Sequence, residues 1–246
     1  MLFERGLFAS REKARRAVMA GVVLVDGQRI DKAGTPIKAE ARLELIEDTE
    51  PFVSRAGRKL AHALDTFAVD PAGLTCLDVG ASTGGFTDCL LQRGAWRVYA
   101  FDVGYGQLDA RLRADPRVVV RERINARHLT PADLPERPEL ATVDVSFISL
   151  TKVVPALLPL LPPGGRLLTL VKPQFEAGRH QIGKGGIVRS EEIRRAVIDE
   201  RVEELAALGL ERHGLVDCEL KGMEGNQEAF AYFRLPLSPR ESGAVS

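Results

Sequence analysis

The sequence predicts an α/β fold: an open, mostly parallel sheet with helices on both faces, preceded by a small α+β domain. Three observations carry this. Apolar runs of strand length alternate with helical patterns from residue 52 to about residue 236. One run breaks into a glycine-rich turn and then a helix, in LDVGASTGGFTD at residues 77–88. Composition shifts at residues 48–57, and ahead of that shift lies a basic helical pattern followed by a hairpin pattern.

The chain has 246 residues, 45% hydrophobic and 28% charged, which suits a packed core rather than disorder. Its formal net charge is zero, so any contact with nucleic acid must rest on local patches. Cys76, Cys89 and Cys218 are dispersed and odd in number. They form neither a disulfide framework nor a zinc spacing, which points to a reducing, cytoplasmic setting. The four histidines form no metal pattern, and no metal is expected. The opening residues are charged from Glu4 onward and lack the apolar core of a signal peptide. The most apolar stretch, residues 153–161, is short and broken by Pro155 and Pro159, so no membrane span is expected.

Residues 1–48 read as the small domain. Ser10 caps a helix from Arg11 to about Ala20 and Gly21 stops it. Ala14, Ala17 and Val18 share one face of that helix, while Arg11, Lys13, Arg15 and Arg16 cover the rest. VVLVDGQRI reads as a hairpin, because Asp26-Gly27 suits a tight turn with positive φ. ARLELIE at residues 41–47 alternates like another strand. So small a module buries little core, and its use is to present the basic helix beside the hairpin. Residues 49–56 read as a linker containing Pro51, and residues 238–246 as a frayed tail.

The large domain spans residues 57–237. Its strands are expected at 75–79, 98–103, 118–122, 142–145, 166–172, 215–220 and 229–235. Its helices are expected at 57–67, 85–93, 105–114, 150–161 and 190–208. The last two strands follow one another without a helix, which suggests an antiparallel edge pair.

In the turn, Gly80, Gly84 and Gly85 permit sharp bending and close approach of a ligand, with Ala81 and Ser82 between them. The next helix offers free N–H groups and positive dipole density, with Phe86 in its first turn. Asp102 ends the following strand, where an acid suits two ribose hydroxyls. The spacing is G-x-x-x-G-G rather than the dinucleotide G-x-G-x-x-G, which disfavours a nicotinamide oxidoreductase. Asp78 just before the turn would repel a pyrophosphate and attract the ammonium of a methionine moiety. Asn125, after the third strand, reaches for the adenine end. This pattern is that of a Rossmann-like sheet binding S-adenosylmethionine.

Amino-group methylases place a polar residue and two prolines after the fourth strand, whereas here the sequence is DVSF. The place offers Asp144, then Lys172 at the end of the next strand. A lysine there can act as general base on a hydroxyl, with Lys59 supplying a like charge and Glu228 orienting one of the lysines. The glycine-rich segment 172–190 carries Arg179, His180, Lys184 and Arg189 as candidate phosphate contacts.

Two resemblances join these readings. GLFASREKARRAVMAGVVLVDGQRI resembles the S-four-like RNA-binding domain. That family carries a further basic segment before this point, which implies here a short first helix or another start. FVSRAGRKL, LDVGASTGGFTD, DVSFISL, LVKPQFE and GNQEAF resemble the TlyA (haemolysin-like) ribosomal RNA methyltransferases, whose catalytic domain is FtsJ-like. The resemblance implies a Lys–Asp–Lys–Glu tetrad at Lys59, Asp144, Lys172 and Glu228. It implies cofactor contacts at Asp78, Gly80, Gly84, Phe86, Asp102, Asn125 and Asp144. It further implies S-adenosylmethionine as donor, and a cytidine ribose in ribosomal RNA or ribosomal subunits as acceptor. The competing readings are a non-catalytic RNA-binding protein and a membrane-active haemolysin. Against the latter, the basic helix carries mostly alanine on its apolar face.

Overall fold

The computed structural model describes residues 1–237, apart from residues 9, 20, 21, 31, 33, 39, 46–49, 223 and 224. The expected helix stop at Gly21 and the expected tail lie outside the described residues. So do the side chains of Lys13, Arg16, Arg179 and Lys184. The chain forms two compact units, Met1–Glu50 and Pro51–Ser246.

In the first unit, helix α1 (Arg11–Met19) is followed by strands β1 (Val23–Val25), β2 (Gln28–Ile30) and β3 (Leu43–Leu45). They form a sheet in the order β2-β1-β3. Val25 pairs with Gln28, and Asp26 and Gly27 between them both have positive φ, as a two-residue hairpin requires. Ala17 and Val18 pack with Val23 in the small core. Arg11 and Arg15 stay exposed. With Phe3 and Lys32 they line an open hollow of about 990 Å³.

In the second unit the elements run α2 (Ala56–Thr66), β4 (Thr75–Val79), α3 (Gly85–Gln92), β5 (Arg97–Asp102), α4 (Ala110–Ala114) and β6 (Val118–Glu122). They continue with β7 (Leu140–Val143), α5 (Val154–Leu157), β8 (Arg166–Val171), α6 (Pro173–Glu176), α7 (Glu191–Ala206), β9 (Glu211–Asp217) and β10 (Ala229–Arg234). The seven strands lie in the order β6-β5-β4-β7-β8-β10-β9. Strands β6 to β8 are parallel, and β10 runs antiparallel to both its neighbours. The expected antiparallel pair exists, but β10 is inserted beside β8 and β9 takes the edge. The strand order reverses between β4 and β7, so a crevice opens at their carboxyl ends.

Alternation along the strands divides the core. Leu77 and Val79 face one cluster with Leu157, Val202 and Leu205, while Cys76 joins the opposite cluster with Leu60, Leu64, Phe86 and Leu90. Residues 51–56, expected as linker, belong to this unit. The Val53 amide donates to Asp88 Oδ2 at 2.8 Å, and Gln92 donates to the Pro51 carbonyl at 2.8 Å. Two other expectations fail for local reasons. The helix expected over residues 105–114 is helical over Ala110–Ala114 alone, because Asp109 caps it and the residues before it bond elsewhere, the Gly106 amide to Glu122 and the Asp109 amide to the Thr83 carbonyl. The helix expected over 150–161 breaks into a short α segment between two 3-10 turns, with prolines at the start of two of the three pieces.

Helices α2 and α3 approach closely because glycines face the contact. A Cβ on Gly85 would lie 2.3 Å from Ser54 Oγ and 2.9 Å from Ala56 Cβ. Gly85→Ala is therefore expected to destabilise the protein by roughly 1–3 kcal/mol, read as a lower urea midpoint at unchanged slope. An unaltered midpoint would contradict this account of the helix pair.

Candidate active site

The turn after β4 is shaped by its neighbours. Gly80 has φ +86°, and its amide donates to the Phe101 carbonyl at 2.9 Å. A Cβ there would stand 2.1 Å from the carbonyl oxygen of Asp144, so only glycine lets the turn press against the end of β7. Gly84 precedes α3 in the left-handed region, where a Cβ would meet Leu112 Cδ1 at 2.2 Å. Protein neighbours alone already require a residue without a Cβ at Gly80 and leave little room for one at Gly84 and Gly85. Ala81 is also buried. Ser82, with φ +50°, and Thr83 are the exposed residues of the turn.

Asp78 is fully buried. The Thr87 hydroxyl donates to its Oδ2 at 2.7 Å, and the Thr142 hydroxyl reaches its Oδ1 at 3.4 Å. Burial pushes its carboxyl up to about 7; the Thr87 hydrogen bond opposes this, and the charge of Asp144 adds to it. Its hydrogen bonds tie the end of β4 to α3 and β7. Phe86 is 2% exposed and packs on Phe230 at 5.7 Å between ring centroids.

Asp102 behaves differently. It is half-buried at the carboxyl end of β5, with Oδ2 accepting from the Ser82 amide at 2.8 Å and Oδ1 from the Gly104 amide at 2.6 Å. These bonds aim the carboxylate and tie the turn to the next loop. Asn125 caps the 3-10 turn Ala126–His128, its Oδ1 accepting from the Arg127 amide at 3.1 Å.

The four charged residues named from the sequence form two ion pairs. Lys59, on the buried face of α2, donates to Glu228 Oε2 at 2.6 Å, with side chains 9% and 3% exposed. Lys172, just past β8, pairs with Asp144, just past β7, and also donates to Ser146 Oγ at 3.0 Å. Burial raises the Asp144 carboxyl, while Lys172 opposes the rise and Glu228 adds to it. Gln174 Nε2 reaches Glu228 Oε1 at 3.4 Å. The pairs cluster because α2, β7, β8 and β10 all deliver their residues to one edge of the sheet.

Sequence reasoning missed Phe147. It is 89% exposed, holds φ +64°, and packs on Phe175 at 4.7 Å. A strained, exposed aromatic residue beside buried charges marks a functional position. Its signal was an aromatic residue three places after Asp144, in a segment without strand alternation. The loop after α6 carries His180 and Arg189, both exposed or nearly so, and is held by Asn226, which accepts from the Val188 amide and donates to the Gly186 carbonyl.

A family model of the FtsJ-like methyltransferase matches residues 52–235, and a model of the S4 domain matches residues 1–43. The 16S/23S rRNA (cytidine-2'-O)-methyltransferase TlyA of Mycobacterium tuberculosis is 45% identical over 234 residues, covering 95% of this chain and 87% of that protein. Hemolysin A of Brachyspira hyodysenteriae is 40% identical over 229 residues, covering 93% of this chain and 95% of that protein. A solved structure of a hemolysin candidate from Streptococcus thermophilus superposes with a TM-score of 0.78 at 42% identity, covering 98% of this chain and 90% of that one.

The buried Asp78 gives a pH signature. Its carboxyl titrates near 7 when folded, against 3.8 ordinarily. A raised acid costs nothing below the lower value, weighs against folding as pH rises between the two, and adds no further change above the upper one. Asp78→Asn does not titrate. Relative to the parent it should gain roughly 4 kcal/mol of stability as pH rises from about 4 to about 8, measured by urea unfolding. A difference that stays constant with pH would refute the titration.

Proposed function

The chain belongs to the FtsJ-like methyltransferase family, and on that premise we propose that it methylates the 2′-hydroxyl of a cytidine in ribosomal RNA, with S-adenosylmethionine as donor. The observation that carries the reading is the pair of ion pairs, Lys59–Glu228 and Asp144–Lys172, beside the glycine turn. A TlyA relative named for this reaction is 45% identical across 95% of the chain.

The residues at the crevice fit the donor. Asp102 is aimed by two amides and keeps free lone pairs for ribose hydroxyls. Ser82 and Thr83 present an exposed turn ahead of the N-terminus of α3. When bound, S-adenosylmethionine supplies an electrophilic methyl group on a sulfonium. Lys172, in the amine form reached by loss of its ammonium proton to solvent, takes the proton of the ribose hydroxyl. Asp144 and Ser146 hold its Nζ in place, while Lys59 and Glu228 fix the floor beneath them. Phe147 offers its exposed ring to the base of the target nucleotide. The S4 domain supplies the grip on structured RNA, with Arg11 and Arg15 exposed on α1. Neutral overall charge then suits an enzyme whose RNA contacts are local.

We read the setting as cytoplasmic. The three cysteines are free and buried, as a reducing compartment allows. No helix among the described residues is long and apolar enough to cross a membrane. The apolar face of α1 is used inside its own unit, which disfavours the membrane-active reading.

Lys172→Ala is expected to lower transfer of labelled methyl to ribosomal subunits by roughly 10²–10⁴-fold, with donor binding little altered in calorimetry. Transfer at the parental rate would remove Lys172 from the mechanism.

A further inference from the structure

The segment KPQFE does more than supply Lys172. Each of its polar or aromatic side chains is engaged. Lys172 meets Asp144 and Ser146, Gln174 meets Glu228, and Phe175 packs on Phe147. The last residue, Glu176, has a side chain 2% exposed, and its Oε1 accepts from the Leu150 amide at 2.8 Å. The Ser149 hydroxyl also bonds to it. Its Oε2 forms an ion pair at 2.8 Å with Arg201 Nε, on the long helix α7, without the alignment of a hydrogen bond, and Arg201 pairs in turn with Glu204.

These contacts link three parts of the fold. Residues 144–150 carry Asp144, Ser146 and Phe147. Residues 172–176 carry the lysine and the ring under Phe147. Helix α7 is packed into the core through Ile198, Val202 and Leu205. A buried carboxylate is costly unless paired and hydrogen-bonded, and a neutral side chain would fill the place more cheaply. We propose that Glu176 is a positioning residue for the methyl transfer: it bolts the two loops bearing the Asp144–Lys172 pair to α7 through the Leu150 amide and Arg201. The inference rests on the methyltransferase reading above and assigns Glu176 no contact with substrate.

The mechanism is geometric. Without the bolt, the two loops can slide, and the Lys172 Nζ loses its fixed place beside Asp144. Displacement of a reacting group by about 1 Å costs on the order of 10²-fold in rate. Donor binding in this reading rests chiefly on Asp102 and the turn at Ser82 and Thr83, and should be spared.

Glu176→Ala alone would leave the buried Arg201 with the more exposed Glu204 as its counter-charge, so the test is the full-length chain carrying Glu176→Ala together with Arg201→Met, which removes both charges. Glu176→Gln, which keeps an acceptor for the Leu150 amide, is measured beside it. The expected result for the double variant is a fall in kcat on the order of 10²-fold. KM for ribosomal subunits and the S-adenosylmethionine Kd should stay within roughly threefold of the parent. Glu176→Gln should recover most of the lost rate. In a Lys172→Ala background the double substitution should cost nothing further, because it acts through Lys172.

Parental kcat in the double variant would overturn the proposal. So would an equal loss in the Lys172→Ala background, or a loss carried wholly in KM. If the double variant does not fold, parental kcat in Glu176→Ala, or no recovery in Glu176→Gln relative to it, overturns the proposal instead. Absence of transfer by the parent chain in the same assay would sink the methyltransferase reading itself, which separates the two failures.

Discussion

The site depends on how tightly the turn after β4 presses against the end of β7. Gly80 and the Asp144 carbonyl leave no room for a Cβ, and the Asp144 amide donates to the Val79 carbonyl at 2.9 Å. The turn after β4 and the start of the loop after β7 therefore meet at one junction. The junction sits where the strand order reverses, so the crevice beside it is a product of topology and needs no separate scaffold.

Around this junction the protein gathers charge at low exposure. Lys59 and Glu228 are almost wholly enclosed, Asp144 and Lys172 partly so, and Asp78 lies behind them with its carboxyl pushed up to about 7. Such groupings seldom add stability, because desolvation opposes the attraction between partners. They make sense as preorganisation: charges fixed before substrate arrives need no rearrangement during reaction. Exposure separates the two pairs: Asp144 and Lys172 lie nearer solvent, and Lys59–Glu228 joins α2 to the start of β10.

Much of this was legible in the sequence. Buried parallel strands write themselves as apolar runs, so β4, β6 and β8 fall at or within a residue of their expected places. Residues that need a charge at a strand end stand out against such runs, which is why Asp102, Asp144, Lys172 and Glu228 were visible. What stayed hidden is what depends on packing across the fold. The side chains of Phe86 and Asp78, beside the glycine turn, point into the interior. The reasons for Gly84 and Gly85 lie in Leu112 and Ser54, distant in sequence. The insertion of β10 beside β8 leaves no local mark, and the helix expected over 150–161 hid its break behind a continuous apolar pattern.

The central claim is that the methyl group goes to a ribose oxygen of ribosomal RNA. The most direct measurement is to incubate the purified chain with ribosomal subunits and S-adenosylmethionine, digest the RNA to nucleosides, and identify the methylated product by mass spectrometry. The account predicts 2′-O-methylcytidine, absent when the chain is omitted. A methyl group on a base, or on no nucleoside at all, would contradict it.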